Sequence, residues 1–386
     1  MAIAGLWFGI FANLQLLTTL VPSDFGKSLV LLVGPVCLIL ISPYAGKVID
    51  RSSHQKILTW SGHAQLICSL VLLAAFLMQS VILIIAGLVV LHVSNAFYTP
   101  AIKSVIPSIV PKEQLLAANS MYLNTTTMAR ITITGITGIA LAFVPLWGIY
   151  LSMIGCYLVM NGIRYFIKIG ERSTPIHKHK KVSFLEVFQL LRTERSLIIL
   201  LINIALIYLF LGGSNLIILE FSLLYDNHAV QGFLYGVEGV ALLIAGVVVR
   251  RSFGKSNTLK RNTLFVLGSA IAVFCIYGGT KWLWIAFAGY AMYGFIAGCW
   301  FPSYSTLSQL TVPESIRGRF FAFQEMWNRI MQQLALVYTG IMFDWVGLGK
   351  HLLFTSIIIF SGAALVLGYL FMNLNKKPAC TTSING

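Results

Sequence analysis

Charged side chains are scarce in this sequence. Only 10% of its 386 residues are Asp, Glu, Lys or Arg, whereas soluble domains carry roughly 25%. Acidic residues are rarer still, with 12 Asp and Glu against 27 Lys and Arg. At 58% apolar content and a mean hydropathy of +0.84, the chain lacks the polar surface that a water-soluble fold needs. The composition therefore excludes an ordinary soluble domain and indicates a chain folded in lipid.

Motifs for metal, redox and nucleotide chemistry are missing as well. The six cysteines form no CxxC pair and have no zinc-ligand spacing, so they are read as small core residues and not as disulfides. The sequence contains no GxSxG elbow, P-loop, HExxH or Gly-rich dinucleotide turn. We therefore predict no enzyme activity, no catalytic residue, no metal and no cofactor, with an ion gradient as the energy source in place of ATP.

Twelve apolar stretches run along the chain, each long enough to cross a hydrocarbon core of about 30 Å as a helix. They leave no region large enough for a soluble domain. The predicted fold is an all-α integral membrane protein with twelve transmembrane helices. The predicted spans are 2–20, 28–48, 57–78, 81–106, 115–143, 147–168, 196–220, 229–249, 262–279, 282–308, 318–344 and 351–373.

Basic residues lie mainly on one predicted side of the membrane. Of the 27 Lys and Arg residues, 22 fall on the side that also contains the C-terminal tail, and only Lys27, Lys281 and Lys350 fall on the other. By the positive-inside rule, both termini are predicted to be cytoplasmic in the cell membrane. The formal charge of +15 then reflects membrane topology, and no nucleic-acid partner is predicted.

The longest polar interruption is 170–195, "GERSTPIHKHKKVSFLEVFQLLRTER", and it divides the chain into halves. We predict a six-helix half at 1–169, a basic cytoplasmic linker at 170–195, a second six-helix half at 196–373 and a cytoplasmic tail at 374–386. His177 and His179 within it fit a weak metal site, but a solvated basic linker is favoured.

An internal repeat supports this division. "FYTPAIKSVIPSIVPKEQ" at 97–114 matches "WFPSYSTLSQLTVPES" at 300–315 with an offset of 202. Gly46 followed by Asp50-Arg51 is echoed by Gly246 followed by Arg250-Arg251. Because an even number of spans separates equivalent points, the two halves are expected to share one orientation.

The segment "GKVIDRSSHQK" at 46–56 resembles the signature between helices 2 and 3 of the major facilitator superfamily. The matching residues of this predicted cytoplasmic gate motif are Gly46, Asp50, Arg51 and Lys56, whereas Ser53 stands where a second Gly is usual. That family has two six-helix halves related by an axis along the membrane normal. The resemblance implies that Asp50 holds Arg51 and the start of helix 11 when the cytoplasmic side is closed. A plain topogenic loop is the alternative.

Two further segments are similar to the macrolide-efflux and enterobactin-exporter branch of that superfamily. They are "FYTPAIKSVIPSIVPKEQLLAANS", around helices 4 and 5, and "VPESIRGRFFAF", before helix 11. This similarity implies a proton-coupled exporter of a small organic molecule. The Gly-Pro exporter motif of helix 5 is degraded here to "TGITG", with Gly135 and Gly138 but no Pro.

Four ionisable residues lie deep in predicted spans, namely Arg130, Glu238, Glu325 and Arg329. An ionised side chain at mid-bilayer costs about 2.5 to 3.5 kcal/mol, so each is expected to be paired or to have a function. Glu220 is left out because it lies near the external end of its span.

Arg130 and Glu238 are expected to approach each other, because helices 5 and 8 of this fold pack across the two halves. Two interpretations stay open for that pair: a fixed ion pair, or a pair whose carboxylate takes up a proton. Glu325 and Arg329, at i and i+4, either satisfy each other within one helix or serve substrate or protons.

Helices 1, 4, 7 and 10 line the central cavity in the family that the chain resembles. The residues that this resemblance nominates for the cavity are Asn13, Gln15, His92, Asn95, Tyr98, Asn203, Asn215, Tyr290, Tyr293 and Trp300. Few of them are charged, so the pocket suits an amphipathic or hydrophobic substrate. For each aromatic residue, simple helix packing is the alternative.

The predicted function is secondary active export of a drug-like, macrolide-like or siderophore-like molecule by proton antiport with alternating access. A lipid flippase, a metabolite importer and a non-transporting receptor or scaffold are the alternatives. The expected partners are the small-molecule substrate and membrane lipid, with the chain acting as a monomer.

Overall fold

The computed structural model describes residues 1–49, 52–111, 115–166, 185–252, 259–313 and 316–374. These residues form thirteen α-helices and no β-strand, which confirms the all-α fold class. The helices are α1 Ala2–Leu20, α2 Asp24–Ile49, α3 His54–Leu77, α4 Val81–Ile109, α5 Leu115–Phe143, α6 Leu146–Phe166, α7 Leu185–Thr193, α8 Arg195–Leu211, α9 Ser214–Leu224, α10 Ala229–Ser252, α11 Leu259–Gly278, α12 Leu283–Thr311 and α13 Arg317–Leu374.

Ten helical segments of the described residues are long and apolar enough to cross a membrane. The predicted span 115–143 coincides with α5, but only Met128–Leu141 of that helix is strongly apolar. The predicted spans 318–344 and 351–373 both lie in α13 and form one long segment. Once α5 is included and α13 is divided, the segments correspond to the twelve predicted spans.

A single residue, Gly347, separates the two helical parts of α13. A straight 58-residue helix would extend about 87 Å, almost three times the thickness of the hydrocarbon core. Gly347 interrupts α13 with φ 76° and ψ 172°, a backbone conformation that residues other than glycine rarely adopt. The prediction of a break after residue 344 is therefore correct in place, but helical residues flank Gly347 where a six-residue connection was expected.

The predicted span 196–220 is divided into α8 and α9 at Gly212 and Gly213. A Cβ atom built on Gly212 would lie 2.5 Å from the Gln332 carbonyl oxygen, and one on Gly213 would lie 2.0 Å from Thr339 Oγ1. Both positions therefore require glycine for a close approach of α13, and the helix breaks there.

The chain divides into two compact units. Unit 1 consists of Met1–Lys181, Gly213–Gly236 and Leu336–Leu348, and unit 2 of Val182–Gly212, Val237–Ala335 and Gly349–Gly386. Segments 213–236 and 336–348 belong to the predicted second half but pack within unit 1. The predicted sequence boundaries at 169, 195 and 373 stay predictions. Within the predicted linker, 170–184 lies outside the described residues and α7 occupies most of the remainder.

Each unit has its own apolar core. In unit 1, α1 packs against α5 and α6, α2 packs against α4, and α3 packs against both α4 and α6. Phe11, Tyr150 and Tyr157 are the large buried side chains of that core. In unit 2, α11 packs against α8 and α12, and the buried aromatic side chains of α8 and α12 fill the interior.

Candidate functional site

The predicted gate motif begins at the end of α2 and continues into α3. Gly46 lies in α2, and Lys56 lies in the first turn of α3 with its side chain exposed. Asp50 and Arg51 lie outside the described residues, so the predicted latch of Asp50 stays a prediction.

The predicted cavity residues of α1 and α4 have hydrogen bonds within unit 1. Asn13 Oδ1 accepts a hydrogen bond of 2.9 Å from the Tyr150 hydroxyl. Asn95 Oδ1 accepts one of 3.0 Å from Gln65 Nε2. Gln15 differs, because its Oε1 atom is buried and has no hydrogen-bond partner among the described residues. Of the two predicted cavity residues on α1, Gln15 is therefore the one whose side-chain oxygen has no partner among the described residues.

His92 and Tyr98 on α4 also contact neighbouring protein groups. His92 Nδ1 donates a hydrogen bond of 2.9 Å to the Leu88 carbonyl oxygen one turn earlier. The guanidinium carbon of Arg164 lies 5.3 Å from the centroid of the Tyr98 ring, within the range of a cation–π contact. These contacts fix the orientation of both rings.

Asn203 lies in a buried polar network that joins α8, α11 and α12 in unit 2. Its Nδ2 atom donates to Asn262 Oδ1 at 3.1 Å and to Thr263 Oγ1 at 3.0 Å. Asn262 Nδ2 in turn donates to Ser303 Oγ at 3.4 Å. Because Asn203, Asn262 and Thr263 are fully buried, breaking this network would leave polar groups unsatisfied in an apolar interior.

The predicted cavity aromatics of α12 are enclosed in unit 2. Trp300 stacks on Tyr304 with ring centroids 4.8 Å apart and planes at 16°, and Phe210 lies 4.6 Å from Tyr293 and 6.0 Å from Tyr290. All five side chains are buried. The Trp300 Nε1 atom has no hydrogen-bond partner among the described residues. In this conformation the aromatic residues pack on one another, and their lining of a cavity stays a prediction.

Arg130 lies beside an aromatic cluster within unit 1. Its guanidinium carbon is 6.0 Å from the Trp7 ring centroid, and Trp7 meets Tyr235 edge to face at 5.9 Å. The Tyr235 hydroxyl donates a hydrogen bond to Asn215 Oδ1. The contact with Trp7 places a half-buried cation against a ring face, an arrangement that stabilises charge away from bulk water.

Glu238 lies on α10 in unit 2, half-buried and within electrostatic range of the Tyr293 hydroxyl. Its backbone is close to α12, since a Cβ atom built on Gly294 would lie 2.3 Å from the Glu238 carbonyl oxygen. The expected approach of Glu238 to Arg130 stays a prediction.

Glu325 and Arg329 form an ion pair within α13. Both Nε and Nη2 of Arg329 lie 3.1 Å from Glu325 Oε1. The side chains are 60% and 44% exposed, and such an exposed i,i+4 pair contributes only about 0.3 to 0.5 kcal/mol. The pair thus satisfies itself within the helix, while a role in transport stays a prediction.

A carboxylate from α13 caps the N-terminus of α2, about 320 residues away in sequence. Asp344 Oδ1 accepts from the Asp24 N–H at 2.7 Å, and Asp344 Oδ2 accepts from the Phe25 N–H at 3.1 Å and the Ser23 hydroxyl at 2.5 Å. Ser23 Oγ accepts from the Gly26 N–H at 3.1 Å. Three unsatisfied donors of the first turn are thereby paired, and the negative charge lies at the positive end of the helix dipole. We call these residues the Asp344 cap.

Further charges surround the Asp344 cap. Lys27 is 5% exposed, and its Nζ atom lies 2.6 Å from Asp24 Oδ1. Glu220, half-buried on α9, is within electrostatic range of Asp24, Lys27 and Asp344. Three carboxylates therefore surround one buried ammonium group. The position of Glu220 near the end of a predicted span gives no sign of these neighbours, whereas the structure places it within electrostatic range of three charged residues.

Removal of the Asp344 charge is expected to loosen the start of α2. In Asp344→Asn, one amide oxygen replaces two carboxylate oxygens, so at least one capping hydrogen bond and the charge–dipole attraction are lost. At this exposed position we expect an effect of about 1 kcal/mol, or roughly fivefold faster amide hydrogen exchange over residues 23–27. Asp226→Asn removes the same charge from an exposed position in the α9–α10 turn and should leave that exchange rate unchanged. Equal rates in both variants would contradict the capping role.

α5 and α10 approach each other closely at two glycines in unit 1, Gly138 and Gly232. A Cβ atom built on Gly138 would lie 1.9 Å from the Gly232 Cα atom, and one built on Gly232 would lie 2.6 Å from the Gly138 Cα atom. Small residues at helix crossings allow backbones to approach in this way. Gly138 is the second glycine of the degraded "TGITG" motif, and the crossing gives it a steric requirement. A Cβ atom on Gly135 meets nothing within 4 Å.

Comparison with solved structures shows that the fold is shared. A bacterial homologue of the iron transporter ferroportin, in an inward-facing state, superposes with a TM-score of 0.72 at 16% identity over 95% of this chain and 96% of that chain. A D-xylose–proton symporter gives 0.72 at 13% identity over 95% of each chain, and the nucleoside transporter NupG gives 0.69 at 13% over 97% and 98%. At such identities the likeness establishes the fold alone.

No curated protein matches the sequence significantly. The family model of the Major Facilitator Superfamily matches residues 1–336, most of the chain. This match, together with the all-α membrane fold, confirms the predicted superfamily and indicates a transporter and not an enzyme. The chain belongs to the Major Facilitator Superfamily.

Proposed function

We propose that this transporter exports a small amphipathic or hydrophobic organic molecule in exchange for protons. Export would proceed by alternating access, in which the two six-helix halves expose a midplane site to each side in turn. The similarity of segments 97–120 and 312–323 to macrolide and enterobactin exporters supports the direction and the substrate class.

The chemistry of the ten predicted cavity residues carries the proposal on the substrate. They offer amides, phenols, one indole and one imidazole, with no carboxylate, ammonium or guanidinium group. Such a lining has no charged group that could select for an anionic substrate. It recognises apolar or aromatic molecules that have a few hydrogen-bonding groups. In unit 1, Gln15 Oε1 is a buried acceptor without a hydrogen-bond partner among the described residues, which fits a ligand that donates. In unit 2, Trp300 Nε1 is a buried donor that likewise has no such partner.

Two contacts within unit 1 support the proposal of alternating access. The Asp344 cap joins α13 to α2, and the Gly138–Gly232 crossing joins α10 to α5. Each links a segment of the predicted second half to the predicted first half. We propose that both contacts form and break during each transport cycle.

Proton coupling is proposed to involve Arg130 with Glu238, and Glu325 with Arg329. Glu220 is added to these candidates because two further carboxylates lie within its electrostatic range. A proton on any one of the three carboxylates near the Asp344 cap would reduce their mutual repulsion.

The proposed location is the cell membrane, with both termini in the cytoplasm. The distribution of Lys and Arg, 22 residues on one predicted side and three on the other, supports this orientation. The transporter is proposed to act as a monomer in contact with membrane lipid.

A susceptibility and accumulation screen tests the substrate class. Cells lacking their own efflux pumps would express the protein and receive macrolide antibiotics or the aromatic cation ethidium. We expect lower accumulation and higher tolerance for at least one compound, with the difference lost when the proton gradient is dissipated. Higher accumulation in cells that express the protein would indicate an importer. If the accumulation of every compound is the same with and without the protein, and with and without the proton gradient, a receptor or scaffold is indicated.

A further inference from the structure

A groove in unit 1 is lined by none of the predicted cavity residues. It has a volume of about 690 Å³, which is within the size range of ligand sites, and it is formed by α2, α3 and α4. The apolar side chains that line it include Val48, Ile57, Trp60, Val93 and Phe97.

The groove offers few polar groups between its ends. Its two buried hydroxyls have already donated their hydrogens, since Ser61 donates to the Ile57 carbonyl oxygen and Ser94 to the Ser61 carbonyl oxygen, each at 2.8 Å. A strongly polar molecule would lose hydrogen bonds to water on entering this surface, whereas an acyl chain would not.

One end of the groove differs from the rest. Lys56 lines that end from the first turn of α3, and its side chain is exposed. Among the described residues it has no ion-pair partner. Trp60, one turn further along, is 75% exposed, which is typical of aromatic residues at the level of the lipid headgroups.

The dimensions of the groove match one leaflet of a membrane. Between Lys56 and Ala64, the lining residues at its two ends on α3, that helix rises about 12 Å, less than half of a 30 Å hydrocarbon core. The cationic end lies on the side where 22 of the basic residues fall, the side predicted to be cytoplasmic.

We propose that this groove binds one anionic phospholipid of the surrounding membrane, with an acyl chain along Val93 and Phe97 and the headgroup phosphate at Lys56. Basic pockets between transmembrane helices on the cytoplasmic side bind anionic headgroups by the same physics. The site is distinct from the proposed substrate cavity and does not depend on the direction or substrate of transport.

Lipid retention by the purified full-length protein tests the proposal. Delipidated protein would be titrated with phosphatidylglycerol or phosphatidylcholine of identical acyl chains, and bound lipid counted by native mass spectrometry. We expect one tightly bound phosphatidylglycerol per chain and weaker binding of phosphatidylcholine. Lys56→Gln should weaken phosphatidylglycerol binding about fivefold, to the level of phosphatidylcholine. Val93→Trp should fill the groove and reduce binding of both lipids.

The matched control is Lys281→Gln, which removes an exposed ammonium group from the opposite predicted face. It should leave both affinities unchanged. Quenching by phosphatidylglycerol with a spin label on its acyl chain supplies a second measurement that needs no change in the groove charge. The label should quench tryptophan fluorescence more in the wild type than in Trp60→Phe.

Four results would overturn the proposal. They are equal binding of the two lipids by the wild type, unchanged phosphatidylglycerol binding in Val93→Trp, displacement of the lipid by ethidium or a macrolide, and a dimer that is lost in Val93→Trp. The last two would assign the groove to the substrate or to a second copy of the chain.

Discussion

Gly138→Ala is expected to reduce transport by about 5- to 150-fold while the protein still inserts into the membrane. The added Cβ atom would lie 1.9 Å from the Gly232 Cα atom, a backbone atom that no side-chain rotation can move away. Overpacking of this kind costs about 1 to 3 kcal/mol, which shifts a two-state equilibrium by roughly 5- to 150-fold against the conformation that contains the crossing. A cycle that must pass through this conformation slows in proportion.

The neighbouring glycines supply matched controls. A Cβ atom on Gly135 or on Gly236 meets nothing within 4 Å, and alanine favours a helix over glycine by about 1 kcal/mol. Gly135→Ala and Gly236→Ala should therefore transport at the wild-type rate, measured by uptake into inverted vesicles at equal protein content. Wild-type transport by Gly138→Ala would show that the crossing does not form during the cycle.

Glu238→Gln is expected to abolish gradient-driven transport. The amide has nearly the shape of the carboxyl group but binds no proton at neutral pH, so substrate would equilibrate across the membrane without being concentrated. Exchange of labelled for unlabelled substrate, which needs no gradient, should persist. Accumulation with and without an imposed pH gradient separates the two processes.

Glu325→Gln makes the same change in the ion pair within α13, and its transport is measured in the same way.

Thermal stability distinguishes the open interpretations of Glu238. If Glu238 and Arg130 form a fixed ion pair, the variant leaves an unpaired charge and loses about 3 to 5 kcal/mol of stability while coupling survives. If Glu238 carries the proton, coupling is lost and Glu238→Asp restores part of it. Asp226→Asn controls for the loss of one negative charge. Unchanged gradient-driven transport in both Glu238→Gln and Glu325→Gln would rule out both carboxylates as proton carriers.

Local sequence patterns predict most helix boundaries of this protein. The apolar runs extend only as far as the hydrocarbon core, so their ends mark the ends of the helices. The starts of α1, α4, α5 and α6 accordingly lie within one residue of the predicted positions. The junction in α13 is less visible, because "WVGLGK" is mostly apolar and a single glycine conformation makes the break. The break at Gly212 depends on the approach of Gln332, which no local pattern encodes.

The contacts of the candidate site arise from long-range packing. The Ser23-Asp24 pair before an apolar run is a helix-start signal, but nothing local indicates that Asp344 caps this helix. The position of Asn203 on its helix predicts a cavity residue, whereas its hydrogen bond with Asn262 depends on the packing of α8 against α11. Two buried asparagines in neighbouring apolar spans are the signal that would have suggested their pairing.

Reconstituted vesicles test the central claim, proton-coupled export, most directly. Vesicles containing the purified protein and a trapped pH-sensitive dye would receive ethidium, or the best compound of the cellular screen, with no initial pH gradient. The account predicts that inward movement of substrate drives protons outward, so that the lumen becomes alkaline, and that Glu238→Gln takes up substrate without this change. Wild-type uptake with no proton movement, or with protons moving in the same direction as substrate, would contradict antiport.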